Sequence, residues 1–159
     1  MTNNPHLHYL QMAIKLAQKS VKSGKGGPFG AVIVKDGKVL AKAHNTVTPS
    51  NDPTAHAEVN AIRKACKKLK DFELKGCTIY ASAEPCPMCF GAIYWARPKA
   101  LYYAADKEIA AKAGFDDSFI YKEILLDKKD RKIKTTHIAL PEGETPFKMW
   151  TEKEDKIEY

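Results

Sequence analysis

Two short words, far apart in the chain, constrain its fold more than any other feature. One is His56-Ala57-Glu58 and the other is Pro85-Cys86-Pro87-Met88-Cys89. One imidazole and two thiolates are good zinc ligands, and together they leave a fourth tetrahedral position for water. To share one ion, the two segments must meet at one point. His56 and Cys86 each stand at the start of a predicted helix, so two helix N-termini would face each other there. Their positive dipole ends favour thiolates. Cys86 and Cys89 are three residues apart and share a helix face. Pro87 takes the first turn, where its missing N–H costs little. Glu58 follows His56 by two residues and points to another side of its helix. Its carboxylate is therefore expected beside the metal, where it can move protons rather than ligate.

A purely structural zinc site would need a fourth protein ligand. Cys66, Cys77 and His44 are the candidates, but none has a paired spacing with the others, and Glu58 would then have no task. Cys66 and Cys77 sit in apolar patterns and read as buried thiols. Four cysteines in this arrangement do not make a disulfide scaffold, and a reducing compartment would keep the metal thiolates available. The 159 residues suit one domain with a sizeable core. No apolar run approaches the ~18 residues of a membrane span, and the first residues lack a secretory layout. A cytoplasmic protein without a membrane partner is expected. The net charge of +7 is carried mostly by lysines, the arginines being Arg63, Arg97 and Arg131. Short lysine clusters near acidic residues read as a solvated surface, so no nucleic-acid partner is expected.

The rest of the pattern is that of an α/β domain. Leu7, Leu10, Ile14, Ala17 and Val21 form the stripe of a first helix closed by Gly24. Residues 31–34 read as a buried strand, Asp36-Gly37 as a tight hairpin turn, and 39–41 as the start of the return strand. A loop follows from 44 to 54, with Thr54 as the expected cap of a helix beginning near Ala55. Ala57, Ala61, Ile62, Ala65, Cys66 and Leu69 would give that helix its buried face. Further strands are predicted over 77–81 and 100–104. Between them a short helix runs from Pro87 to about Arg97 and is stopped by Pro98. Helical patterns cover 107–113 and 118–124, a fifth and weaker strand is predicted over 136–140, and the charged tail 146–159 suits a helix. A hairpin followed by alternating helices and strands implies a mixed sheet covered by helices.

Longer words carry a family resemblance. Gly27-Pro28-Phe29-Gly30-Ala31, Asn51-Asp52-Pro53-Thr54-Ala55-His56-Ala57-Glu58 and Glu84-Pro85-Cys86-Pro87-Met88-Cys89 resemble the cytidine-deaminase superfamily of zinc enzymes. Gly91-Ala92-Ile93-Tyr94-Trp95-Ala96-Arg97, Gly114-Phe115-Asp116-Asp117-Ser118-Phe119-Ile120-Tyr121 and the terminal Tyr159 resemble its bacterial guanine deaminases. The resemblance implies a three-layer α/β/α sandwich with a mixed five-stranded sheet and one Zn2+ per chain. It also implies hydrolysis of guanine to xanthine and ammonia.

By that resemblance His56, Cys86 and Cys89 hold the metal, and Glu58 and Asp117 are catalytic. Glu58 would protonate N3 of guanine, and Asp117 would help the amino group leave. The alternative for Asp117 is a helix cap ahead of 118–124. Base contacts fall to Phe29, Asn45, Ala57, Trp95 and Tyr159. An amide such as Asn45 offers both a donor and an acceptor to a base edge. Phe29 and Trp95 offer apolar faces to a flat ring, ordinary core packing being their alternative. Glu84 is expected to bond backbone amides near the metal, and His44 to be a satisfied turn residue. The resemblance further implies a homodimer that exchanges C-terminal segments of about 141–159. The alternatives are a tRNA adenosine deaminase, a cytosine deaminase and a zinc-stabilised interaction module.

Overall fold

The computed structural model describes residues 4–159, which fall into two compact units divided between Asp117 and Ser118: unit 1 up to Asp117 and unit 2, Ser118–Tyr159. Unit 1 opens with helix α1 (Pro5–Lys22), capped by the Asn4 side chain on the His6 amide. Strands β1 (Gly30–Lys35) and β2 (Lys38–His44) form the expected hairpin. Asp36 and Gly37 both take positive φ, 48° and 72°, as a two-residue turn matched to strand twist requires. One helical turn, α2 (Val47–Ser50), interrupts the predicted loop. Then follow α3 (Ala57–Leu69), β3 (Cys77–Ala83), α4 (Pro87–Ala96), β4 (Ala100–Ala105) and α5 (Lys107–Lys112).

The sheet order is β2-β1-β3-β4. β1 pairs antiparallel with β2 and β3, and β3 pairs parallel with β4, so the sheet is mixed as expected. The two central strands are buried on both faces, and their side chains alternate between two cores. Ala31, Ile33 and Ile79 join Ala57, Ala61, Ala65 and Ile93 on the α3–α4 side. Val32, Val34 and Tyr80 join Ala13 of α1 on the other. Two separate apolar layers on one sheet make unit 1 an α/β/α sandwich. Cys77 is fully buried, as expected of an apolar-pattern thiol, whereas Cys66 is half-buried.

Unit 2 contains α6 (Ser118–Leu125), two 3-10 turns (Lys128–Asp130 and Pro141–Glu144) and α7 (Thr145–Glu152). Arg131 satisfies the carbonyls of Ile124 and Leu126 at the end of α6, and Lys148 pairs with Glu144 at 3.1 Å. No residue of this unit is buried.

Two expectations need correction. The sheet has four strands, not five: residues 136–140 join no ladder, and a strand is defined only by a neighbour that accepts its hydrogen bonds. Thr54 does not cap α3. Its amide and hydroxyl both turn back to Asp52 Oδ1, at 2.8 and 2.7 Å. The helix therefore begins later, with His56 as its N-cap residue.

Candidate active site

The late start of α3 makes His56 a ligand rather than a cap. Neither His56 nor Cys86, the N-cap residue of α4, makes a side-chain capping bond. Both side chains are turned toward each other. His56 Nδ1 lies 3.5 Å from Cys86 Sγ and 3.4 Å from Cys89 Sγ. The three ligand atoms lie within 4.8 Å of one another. A zinc ion with bonds of about 2.1 Å to nitrogen and 2.3 Å to sulfur, at tetrahedral angles, separates N from S by about 3.6 Å. The observed separations match that edge, so the three residues fit zinc. Two helices also begin here, and their unpaired N–H ends favour the thiolates.

The protonation pattern agrees. The hydrogen bond from Cys89, helped by His56 and opposed by burial, holds the Cys86 thiol down to about 4. That same bond, with burial, drives the Cys89 thiol up. The imidazole of His56 is raised, chiefly by its hydrogen bond to Cys86. A divalent cation binding here would displace thiol protons, so metal binding is linked to pH.

Among the described residues, the metal-capable group contains no fourth protein ligand. The alternative candidates are turned elsewhere: Cys66 Sγ to the Phe72 carbonyl, Cys77 Sγ to the Lys75 carbonyl, and His44 Nδ1 to the Asn45 carbonyl. Glu58 stands beside the cage in the first turn of α3. It is only 5% exposed, and its Oε2 lies 3.5 Å from Cys89 Sγ. Burial, with the Cys86 charge adding to it, raises its carboxyl. A zinc ion in the cage would oppose that shift, leaving an acid able to accept and release a proton.

The remaining expected residues fall into three groups. Asp117 is half-buried at the end of unit 1; burial first, and then the Cys86 charge, raise its carboxyl. That places it within electrostatic range of the metal cage. Asn45 is buried, and its Oδ1 accepts from the amides of Gly27 and Val47 at 3.3 and 3.1 Å. Phe29 packs against the α3–α4 core and meets Phe115 edge-on at 5.0 Å. Ala57 is fully buried in that core, directly after His56. Trp95 on α4 is 65% exposed, which excludes ordinary core packing. Tyr159, in unit 2, is likewise exposed. The Glu84 carboxylate accepts from a backbone amide, that of Lys107 at the start of α5, and the Glu84 amide, just beyond β3, bonds the Ala105 carbonyl at 2.8 Å.

Sequence reasoning missed Asn60, whose side chain reaches three acceptors around the site. It also missed Ser82, which accepts from the Gly30 amide at 2.9 Å. Single polar residues in helical or strand patterns carry no spacing signal.

Comparisons with known proteins agree with this geometry. The cytidine and deoxycytidylate deaminase zinc-binding region matches residues 3–105. Guanine deaminase of Bacillus subtilis (strain 168) is 57% identical over 97% of this chain and 99% of its own length. The X-ray structure of Bacillus subtilis guanine deaminase superposes with a TM-score of 0.95 over 97% of this chain and 98% of that one. A guanine deaminase structure from Nitrosomonas europaea is 33% identical, with a TM-score of 0.65 over 69% of this chain and 63% of that one. A tRNA-specific adenosine deaminase of Aquifex aeolicus is 42% identical over 64% of this chain and 67% of its own. That similarity covers a smaller share of this chain than the Bacillus relative does. The chain belongs to the zinc-binding cytidine and deoxycytidylate deaminase family, on its guanine deaminase branch.

Proposed function

We propose that this chain hydrolyses guanine to xanthine and ammonia. The observation that carries the proposal is the three-ligand cage with a buried Glu58 beside it. Near full-length identity to a guanine deaminase supports the choice of base. His56, Cys86 and Cys89 hold zinc, which when bound supplies Lewis acidity that brings the pKa of a water near about 7. Glu58 takes the proton of the water that adds to C2 and delivers it to N3. Asp117, whose carboxyl is raised by burial, is the acid that protonates the departing amino group. Asn45 bonds the purine edge, Phe29 and Trp95 flank the ring, and Ala57 leaves room beside the metal for the base.

We also propose a homodimer in which each single-domain chain exchanges its C-terminal segment of about 141–159. A unit with no buried residue and with Leu125, Ile133 and Ile138 at 75% exposure or more supports this reading. Among the described residues, β4 is an edge strand of the sheet. Exchange would bring Tyr159 over the partner site. Four free cysteines suit a reducing, cytoplasmic setting, and among the described residues no helix is long and apolar enough to cross a membrane.

The deciding experiment measures ammonia from guanine, adenine, cytosine and an anticodon stem-loop. Guanine is expected to be the best substrate. Good deamination of the stem-loop without guanine turnover would overturn the assignment in favour of a tRNA deaminase.

A further inference from the structure

Asn60 lies on α3, one turn beyond His56. Its Nδ2 donates to the His44 carbonyl at 3.1 Å, Thr46 Oγ1 at 3.0 Å and the Ala55 carbonyl at 3.2 Å. Two of these acceptors flank Asn45 on either side. The third directly precedes His56. The Thr46 amide also bonds the Ala55 carbonyl, at 2.9 Å. One side chain thus ties the span around Asn45 to the residue before the metal ligand.

What is held there is itself oriented. Asn45 Oδ1 is engaged by the amides of Gly27 and Val47, and its backbone amide bonds the Phe29 carbonyl at 3.1 Å. Gly26 lies so close that a Cβ would sit 2.0 Å from the Asn45 carbonyl oxygen, at a φ of 138°. Only glycine fits that approach. With Oδ1 taken by two backbone donors, the end of the Asn45 amide left for a ligand is Nδ2, a donor. That amide can read an acceptor on the base, such as the O6 or N7 of a purine.

We infer that Asn60 is a positioning residue that sets the distance and orientation of the Asn45 amide relative to His56, and so selects bases presenting an acceptor at that point. The inference rests on the proposed contact between Asn45 and the base. Asn60 touches no reacting atom; it acts through Asn45. A side chain that merely staples a loop would affect folding but would not transmit to Gly27, which Asn60 does not contact.

The test uses zinc-loaded protein in five forms: wild type, Asn45→Ala, Asn60→Ala, Asn60→Asp and the Asn45→Ala/Asn60→Ala double variant. Asn60→Asp keeps the shape but sets a carboxylate against two carbonyls. Hydrogen exchange is followed at Gly27, Val47 and, as a core reference, Ile79. The expected result is exchange about five- to tenfold faster at Gly27 and Val47 in the Asn60 variants, as in Asn45→Ala, with Ile79 unchanged. On guanine, each single change should lower kcat/KM about tenfold, chiefly through KM, and the double should be no worse than Asn45→Ala. Zinc content should stay constant. Thr46→Val removes one acceptor at nearly constant shape and should show the same pattern at smaller amplitude, which keeps the test open if the Asn60 variants fold poorly. Unchanged Gly27 protection in these variants, or losses that multiply in the double, would overturn the inference. If wild type does not deaminate guanine, the proposed function falls, and the exchange data alone decide whether Asn60 positions Asn45.

Discussion

Replacing Glu58 by glutamine separates a proton shuttle from a buried structural acid. Glu58 is 5% exposed, with Oε2 3.5 Å from Cys89 Sγ. Glutamine has nearly the same shape, so the packing of α3 and the three ligands should stay in place. What is lost is the ability to take and return a proton. General acid–base groups contribute about 10²- to 10⁴-fold, or roughly 2.7–5.5 kcal/mol of barrier at about 1.36 kcal/mol per tenfold. Turnover under saturating guanine should therefore fall at least ~10²-fold, with about one zinc per chain retained. A second readout follows from burial. The folded state raises the Glu58 carboxyl above its ordinary 4.5, so the folded protein binds that proton more tightly than the unfolded chain. Its contribution to stability is full below 4.5 and is lost as pH rises through the folded value. In metal-stripped protein, Glu58→Gln should lack that decline and gain stability relative to wild type as pH rises. Ammonia release, metal analysis and denaturant unfolding against pH measure the three effects. Turnover within a few-fold of wild type, with zinc bound, would refute the assignment of Glu58 as the proton carrier.

Three further outcomes are expected. Cys86→Ser or Cys89→Ala should lower zinc content well below one per chain and abolish guanine turnover, because His56 and one thiolate cannot close the cage; full occupancy in either variant would show that the metal sits elsewhere. Asp117→Asn should keep zinc and fold but slow ammonia release about 10²-fold, whereas equal loss of zinc and activity would mark Asp117 as structural. Deleting residues 151–159 should weaken turnover while zinc stays bound, and co-refolding that chain with Glu58→Gln should restore activity, since one pocket of a mixed dimer would hold both an intact Glu58 and a donated tail. Proven mixed dimers without recovered activity would rule out a shared site.

Much of unit 1 is legible in the chain because its signals are local. Periodic apolar residues announce α1 and α3, Asp36-Gly37 announces the hairpin, and Pro98 announces the end of α4. Each reflects a constraint within a few residues, and the structure agrees within a residue or two. The metal cage is legible for a different reason. Zinc chemistry accepts few residue types, so His56, Cys86 and Cys89 stand out even with a long gap between them.

What failed was decided by partners distant in sequence. Residues 136–140 have strand composition, yet a strand exists only where another strand pairs with it, and these residues join no ladder. Thr54 is a good capping residue type, but Asp52 captures its amide and hydroxyl, and the helix start moves to His56. Asn60 gave no pattern at all, since its meaning depends on His44, Thr46 and Ala55 folding back around it. The sequence by itself determined the zinc-binding residue set, the acid expected beside it and the order of helices and strands, because those rest on residue chemistry and near-neighbour geometry. Only the tertiary structure decided which nitrogen of His56 faces the thiolates, how deeply Glu58 is buried and which end of the Asn45 amide remains for a ligand. Those properties come from packing between segments that the chain brings together only on folding.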